Sequence, residues 1–215
     1  MRVLIVPGAG VRRYVHPAAE RLSGRGCDVT LCSAPGAPGP APGLRDYGAQ
    51  LAEGIDAACA PVDLLVGLSF GAQAAAVAAC LTRPGQVRRL MLISPTVEPQ
   101  ARNLSRLLGR WVLAGRDEPL RLLAEQAPDW CRAGPVRLAQ LLRSAAALHL
   151  EDVLPGVAAT LTVVHAEIDR ITSHAYAARL AAERSARLVV VPGATHSWPY
   201  GDAERFADLV EEVLR

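Results

Sequence analysis

The sequence predicts an α/β fold with a doubly wound, mainly parallel six-stranded sheet. Three observations point there. Short apolar runs alternate with helical segments along most of the 215 residues. Most of those runs are continuous rather than alternating, so helices should cover both faces of the strands. One run passes through a glycine-flanked serine turn straight into an apolar helix.

Six runs read as strands: Val3–Val6, Asp28–Cys32, Asp63–Gly67, Leu90–Ile93, Leu161–His165 and Leu188–Val191. The segments between them have helical period. Val15–Ser23 carries Pro17 near its start, where the missing N–H costs nothing, and Gly24 and Gly26 end it. Leu44–Ala60 follows a Pro/Gly-rich loop from Ala34 to Gly43. Phe70–Leu81 is almost wholly apolar and should be a central buried helix. His174–Arg184 and Ala203–Leu214 complete the series.

Between Pro95 and Pro155 the alternation stops and three amphipathic helices are expected. The first places Arg102, Arg106 and Arg110 on one face and Leu104, Leu107, Leu108 and Trp111 on another. Leu120–Gln126 and Val136–Leu148 follow. An insertion of this size is often a functional lid. The expected organisation is one domain over residues 1–215, with a core of 1–95 and 156–215 and a helical lid of approximately 96–155.

Composition narrows the function classes. Aromatic residues are only 4%, so Leu, Val, Ala and Ile must build the core. The net charge is +2, which gives no reason to expect nucleic acid as a partner. The five cysteines, Cys27, Cys32, Cys59, Cys80 and Cys131, show no metal-ligand or C-x-x-C spacing. They are expected to be buried, inert thiols in a reducing compartment. The uncharged run Leu64–Thr82 is long enough to span a membrane, but Gly67, Ser69, Gly71 and Gln73 interrupt it. Strand, turn and buried helix account for it without lipid. The first apolar run is too short for a signal peptide. A soluble cytoplasmic protein is expected.

Gly67-Leu68-Ser69-Phe70-Gly71 lies where a predicted strand meets a predicted helix, the context a nucleophile elbow requires. The turn is too tight for a Cβ at its flanking positions, and the helix start behind Ser69 offers free N–H groups and a positive dipole end. A serine nucleophile needs a base. Of the five histidines, His196 lies after the last strand, at the carboxyl edge that also carries Ser69. The base needs an orienting carboxylate, and Asp169, in the loop after the preceding strand, is best placed; Glu98 and Glu167 are the rivals. The Phe70 N–H and a donor from Pro7-Gly8-Ala9-Gly10 should hold the oxyanion. A dinucleotide-binding fingerprint fails in that loop, because Arg13 stands where the third glycine belongs.

With these pieces the chain resembles the α/β-hydrolase superfamily over nearly its whole length. The matching pieces are Val6-Pro7-Gly8, the serine turn, Leu92-Ile93-Ser94-Pro95, Ala166-Glu167-Ile168-Asp169 and Gly193-Ala194-Thr195-His196. The resemblance implies a catalytic triad of Ser69, Asp169 and His196, with the Ala9 and Phe70 N–H groups as oxyanion hole, and no cofactor or metal. Two departures stand out. Pro7 replaces the usual histidine, so the oxyanion loop must be braced in another way. The chain also begins at what would be the third strand, a minimal form of the fold. The implied activity is hydrolysis of an ester or thioester of a small acyl substrate. Alternatives are acyl transfer or cyclisation by the same triad in specialised metabolism, and a non-catalytic small-ligand binding module. The Arg102, Arg106 and Arg110 row reads as a solvated helix face, or as a dock for an acyl carrier protein.

Overall fold

The computed structural model describes residues 1–37 and 43–215. Residues 38–42 of the expected Pro/Gly-rich loop lie outside the described residues.

Six strands form one sheet: β1 Arg2–Val6, β2 Asp28–Leu31, β3 Leu64–Leu68, β4 Arg89–Ile93, β5 Thr160–Ala166 and β6 Arg187–Val191. The order is β2-β1-β3-β4-β5-β6, and every pairing is parallel. Each strand matches its predicted run to within a residue or so. The central strands are buried on both faces, as continuous apolar runs require. The edge strands β2 and β6 are only half covered, which departs from the expectation of full burial.

The helices are α1 His16–Gly24, α2 Leu44–Ala57, α3 Phe70–Leu81, α4 Leu104–Ala114, α5 Leu120–Ala147, α6 Leu150–Val153, α7 His174–Glu183 and α8 Ala203–Leu214. Residues of α1 and α8 pack on one sheet face, and those of α2, α3 and α7 on the other. This is the doubly wound arrangement of the α/β-hydrolase fold. The predicted α2 overruns by three residues. Ala58 is already extended, and Pro61 disfavours helix in the residue before it.

Among the described residues the stretch between β4 and β5 holds no strand, only helices and turns. Helix α5 is two helices meeting at Gly134, where φ is 78° and ψ is 158°. Its first half continues past the predicted end at Gln126 and through Pro128. Leu122, Gln126, Asp129 and Ala133 stay buried at helical spacing across the proline, so packing outweighs the lost backbone hydrogen bond. The arginine row is not one solvated face. Arg102 pairs with Glu151 and Arg110 with the buried Glu98, while Arg106 reaches only the Gln100 carbonyl.

The cysteines also correct the expectation. All five are free thiols, but Cys59 and Cys131 are exposed and the other three are only partly buried. Burial still raises the Cys32 thiol to about 11. Among the described residues no helix is long and apolar enough to cross a membrane.

Candidate active site

Strand order reverses between β1 and β3, and the loops leaving these strands frame a crevice at the carboxyl edge of the sheet. Ligands of open α/β sheets bind at such a switch point.

Ser69 sits there with φ 54° and ψ −120°, a left-handed conformation rare outside glycine. Such strain costs on the order of 1–3 kcal/mol and persists only where packing enforces it. Here the Ser69 N–H is fixed to the Ile93 carbonyl at 2.9 Å. The two flanking glycines are required for close approach, since neither has a positive φ. A Cβ on Gly67 would lie 2.6 Å from the Ala72 Cα, and one on Gly71 would lie 2.3 Å from the Val6 carbonyl oxygen. The small residues thus let α3 start directly against β1, with Ser69 raised above the sheet edge.

Ser69, His196 and Asp169 lie in one hydrogen-bonded row. His196 Nε2 is 2.9 Å from Ser69 Oγ, and His196 Nδ1 is 2.8 Å from Asp169 Oδ2. The Asp169 side chain is wholly buried, and its other oxygen accepts from the Ile171 and Thr172 N–H groups at 2.7 and 3.0 Å. Burial alone would raise the Asp169 value. The neighbouring His196 charge, its hydrogen bond and the Thr172 N–H outweigh this and hold the carboxyl below the usual range. His196 is the converse case. Burial alone would lower it, but the Asp169 carboxylate and the Glu118 charge raise it above the ordinary histidine value.

The rival residues are engaged elsewhere. Glu98 is 3% exposed and accepts from the Ser173 N–H at 3.1 Å while paired with Arg110. Glu167 is exposed and accepts from the Gly193 N–H. His165 is buried against His174, with ring centroids 5.3 Å apart.

The Ala9 and Phe70 N–H groups donate no hydrogen bond among the described residues. The loop that carries Ala9 is braced without the usual histidine. The Gly8 N–H donates to the Tyr14 hydroxyl at 3.0 Å, and the Ala9 carbonyl accepts from Trp130 Nε1 at 3.0 Å. Asp129 accepts from the Arg12 N–H at 3.1 Å, so α5 holds this loop twice. Tyr14, Trp130 and Glu118 were not singled out as site residues by sequence reasoning. Trp130 was noticed only as the neighbour of Cys131.

A cavity of about 510 Å³ opens above Ser69 and His196. Its floor includes Gly8, Ala9, Tyr14 and Ile171; its roof, from the helices between β4 and β5, includes Trp111, Val112, Leu123, Trp130 and Leu138. Trp111 and Trp130 meet edge to face, 5.1 Å between centroids. The wall is mostly apolar, the composition of a small-molecule site.

The chain matches the model of the alpha/beta hydrolase family over residues 3–209. It belongs to that family. No curated protein sequence matches it. Solved structures of similar fold include the enol-lactonase from Burkholderia xenovorans LB400, at 18% identity and TM-score 0.78, covering 99% of this chain and 90% of that one. The thermophilic esterase from Thermogutta terrifontis is 21% identical with TM-score 0.78, covering 100% of this chain and 89% of that one. An esterase from Exiguobacterium antarcticum is 15% identical with TM-score 0.82, covering 100% and 91%. At these identities the likeness to the three structures is one of fold. The residues of this alpha/beta hydrolase that bear on its chemistry are those of its own crevice.

Proposed function

We propose that the protein is a serine hydrolase that cleaves an ester or thioester of a small acyl substrate through an acyl-enzyme on Ser69. The observation that carries this reading is the Ser69–His196–Asp169 row, with both links under 3 Å, at the base of an apolar cavity.

Ser69 Oγ bonds to the carbonyl carbon as its proton passes to His196 Nε2. Asp169 holds the proton on Nδ1 and stabilises the imidazolium. The oxyanion accepts from the Ala9 and Phe70 N–H groups. Phe70 opens α3, so the positive end of the helix faces the forming charge. The carbonyl carbon–heteroatom bond then breaks and the leaving group takes the proton from His196. Water returns a proton to His196 as it attacks the acyl carbon, and Ser69 departs with that proton. The helical segment of about residues 96–155 acts as a lid whose apolar side holds the acyl group. Its tryptophans and leucines support a hydrophobic acyl chain.

A fluorophosphonate tests the reading. The wild type should be labelled at Ser69 and the Ser69→Ala variant should stay unlabelled. A folded wild type that resists labelling would overturn it. Matched oxygen esters and thioesters of one acyl chain then separate the two leaving groups.

A further inference from the structure

We infer that Glu118, on the turn between α4 and α5, is a positioning residue for His196: its two carboxylate oxygens hold the residues on either side of the base. The inference rests on the catalytic reading of Ser69 and His196.

Thr195 Oγ1 donates to Glu118 Oε2 at 3.1 Å, and the Ser197 N–H donates to Glu118 Oε1 at 2.9 Å. Among the described residues the backbone of His196 makes no hydrogen bond. The peptide segment that aims the imidazole at Ser69 is therefore held through its neighbours, and Glu118 grips both. A carboxylate accepting two hydrogen bonds in fixed directions defines the segment's orientation as well as its distance. The neighbouring Asp117 pairs with Arg170, next to Asp169. One turn of the lid thus touches the loops of both the base and the acid. The Asp117–Arg170 pair is at the surface and should contribute little, whereas Glu118 lines the cavity.

Glu118 also acts through its charge. His196 becomes an imidazolium as Ser69 attacks, and a second carboxylate behind Asp169 favours that form. The ionisable groups facing His196 are Asp169 and His165 from the β5 side and Glu118 from the lid. Only the last changes in a Glu118 variant.

The test compares Glu118→Ala, Glu118→Gln and Thr195→Val on the full chain. Activity on a p-nitrophenyl ester, fluorophosphonate labelling rate and NMR titration of the His196 ring are measured. Glu118→Ala should lower kcat roughly 10- to 100-fold, with KM changed less than about threefold and labelling slowed in proportion. Glu118→Gln keeps a side chain of the same shape with hydrogen-bonding capacity, so it should recover most of kcat. Without the negative charge, His196 should titrate at lower pH and the acid limb of kcat/KM should move down with it. Thr195→Val keeps the charge and loses one bond, so kcat should fall less and the acid limb should stay in place. Wild-type kcat in Glu118→Ala, a loss confined to KM, or an unmoved His196 titration in Glu118→Gln would overturn the inference. An unlabelled wild type would instead overturn the catalytic reading, and the NMR titration would still decide whether Glu118 acts on His196. If Glu118→Ala does not fold, the other two variants decide the matter.

Discussion

Replacing Gly71 with alanine puts a carbon 2.3 Å from the Val6 carbonyl oxygen and 2.4 Å from that of Pro7. Ordinary contact begins at 3.4 Å, so the gap is short by 3.4 − 2.3 = 1.1 Å. Both obstacles are backbone atoms at the end of β1, which is paired with β2 on one side and β3 on the other. No side-chain rotation relieves the clash, and α3 must retreat from the sheet. Overpacking a tight site costs about 1–3 kcal/mol, and this position belongs at the upper end or beyond. In a chain of this size 1 kcal/mol moves the melting temperature by roughly 2–4 °C, so Gly71→Ala should lower it by about 6–12 °C. Gly54→Ala is the control. Gly54 lies inside α2, is exposed, and a Cβ there would meet nothing within 4 Å. Removing an unneeded helix glycine should stabilise by about 0.5–1 kcal/mol, or roughly 1–4 °C. Calorimetry reads both changes. The fluorophosphonate rate shows whether Ser69 has moved with α3. A Gly71→Ala protein that melts within about 2 °C of wild type and labels at the wild-type rate would refute the close-approach argument.

Asp169→Asn leaves the shape of the row but lets the imidazole take the wrong tautomer; steady-state kinetics should show kcat down by roughly 10⁴-fold, and a loss under tenfold would count against the triad. Tyr14→Phe and Trp130→Phe each remove one hydrogen bond bracing the loop of Ala9. Each bond contributes about 1 kcal/mol, so each variant should lower kcat roughly fivefold with KM nearly unchanged. The pH dependence follows from two signs. His196 is raised in the folded state, so its contribution to stability is fully present below about pH 6.5 and is lost as pH rises through the folded value. Asp169 is lowered, so its contribution is present above about pH 3.9 and is lost as pH falls through the folded value. Melting curves should therefore show both contributions between these two values, and Asp169→Asn should flatten the dependence. The acid limb of kcat/KM should lie above the ordinary histidine value, because the base must be neutral to accept the Ser69 proton.

The strands were legible because their signals are local: continuous apolar runs bounded by Gly, Pro or Asp. Ser69, Asp169 and His196 were legible for a related reason. In a parallel sheet every loop that leaves a strand emerges on the same edge, so loop membership alone brings three distant residues close. The first half of α5 was truncated at Pro128, because a local rule about proline does not register the buried face that continues across it. The cysteines and the arginine row were misjudged for the same kind of reason. Apolar neighbours in sequence do not bury a thiol, and a row of cations says nothing of the carboxylates that meet it.

Chain order and pattern alone therefore determined the sheet, the serine turn and the set of loops from which the site is drawn. Tertiary structure alone decided what holds those loops in place. Trp130 reaches the Ala9 carbonyl across 121 residues, and Glu118 reaches Thr195 across 77. Such contacts leave no periodicity to read, because each depends on where the lid helices cross the sheet edge rather than on the residues beside them. The cavity above Ser69 has the same origin, since its walls belong to elements that meet only when the chain is folded.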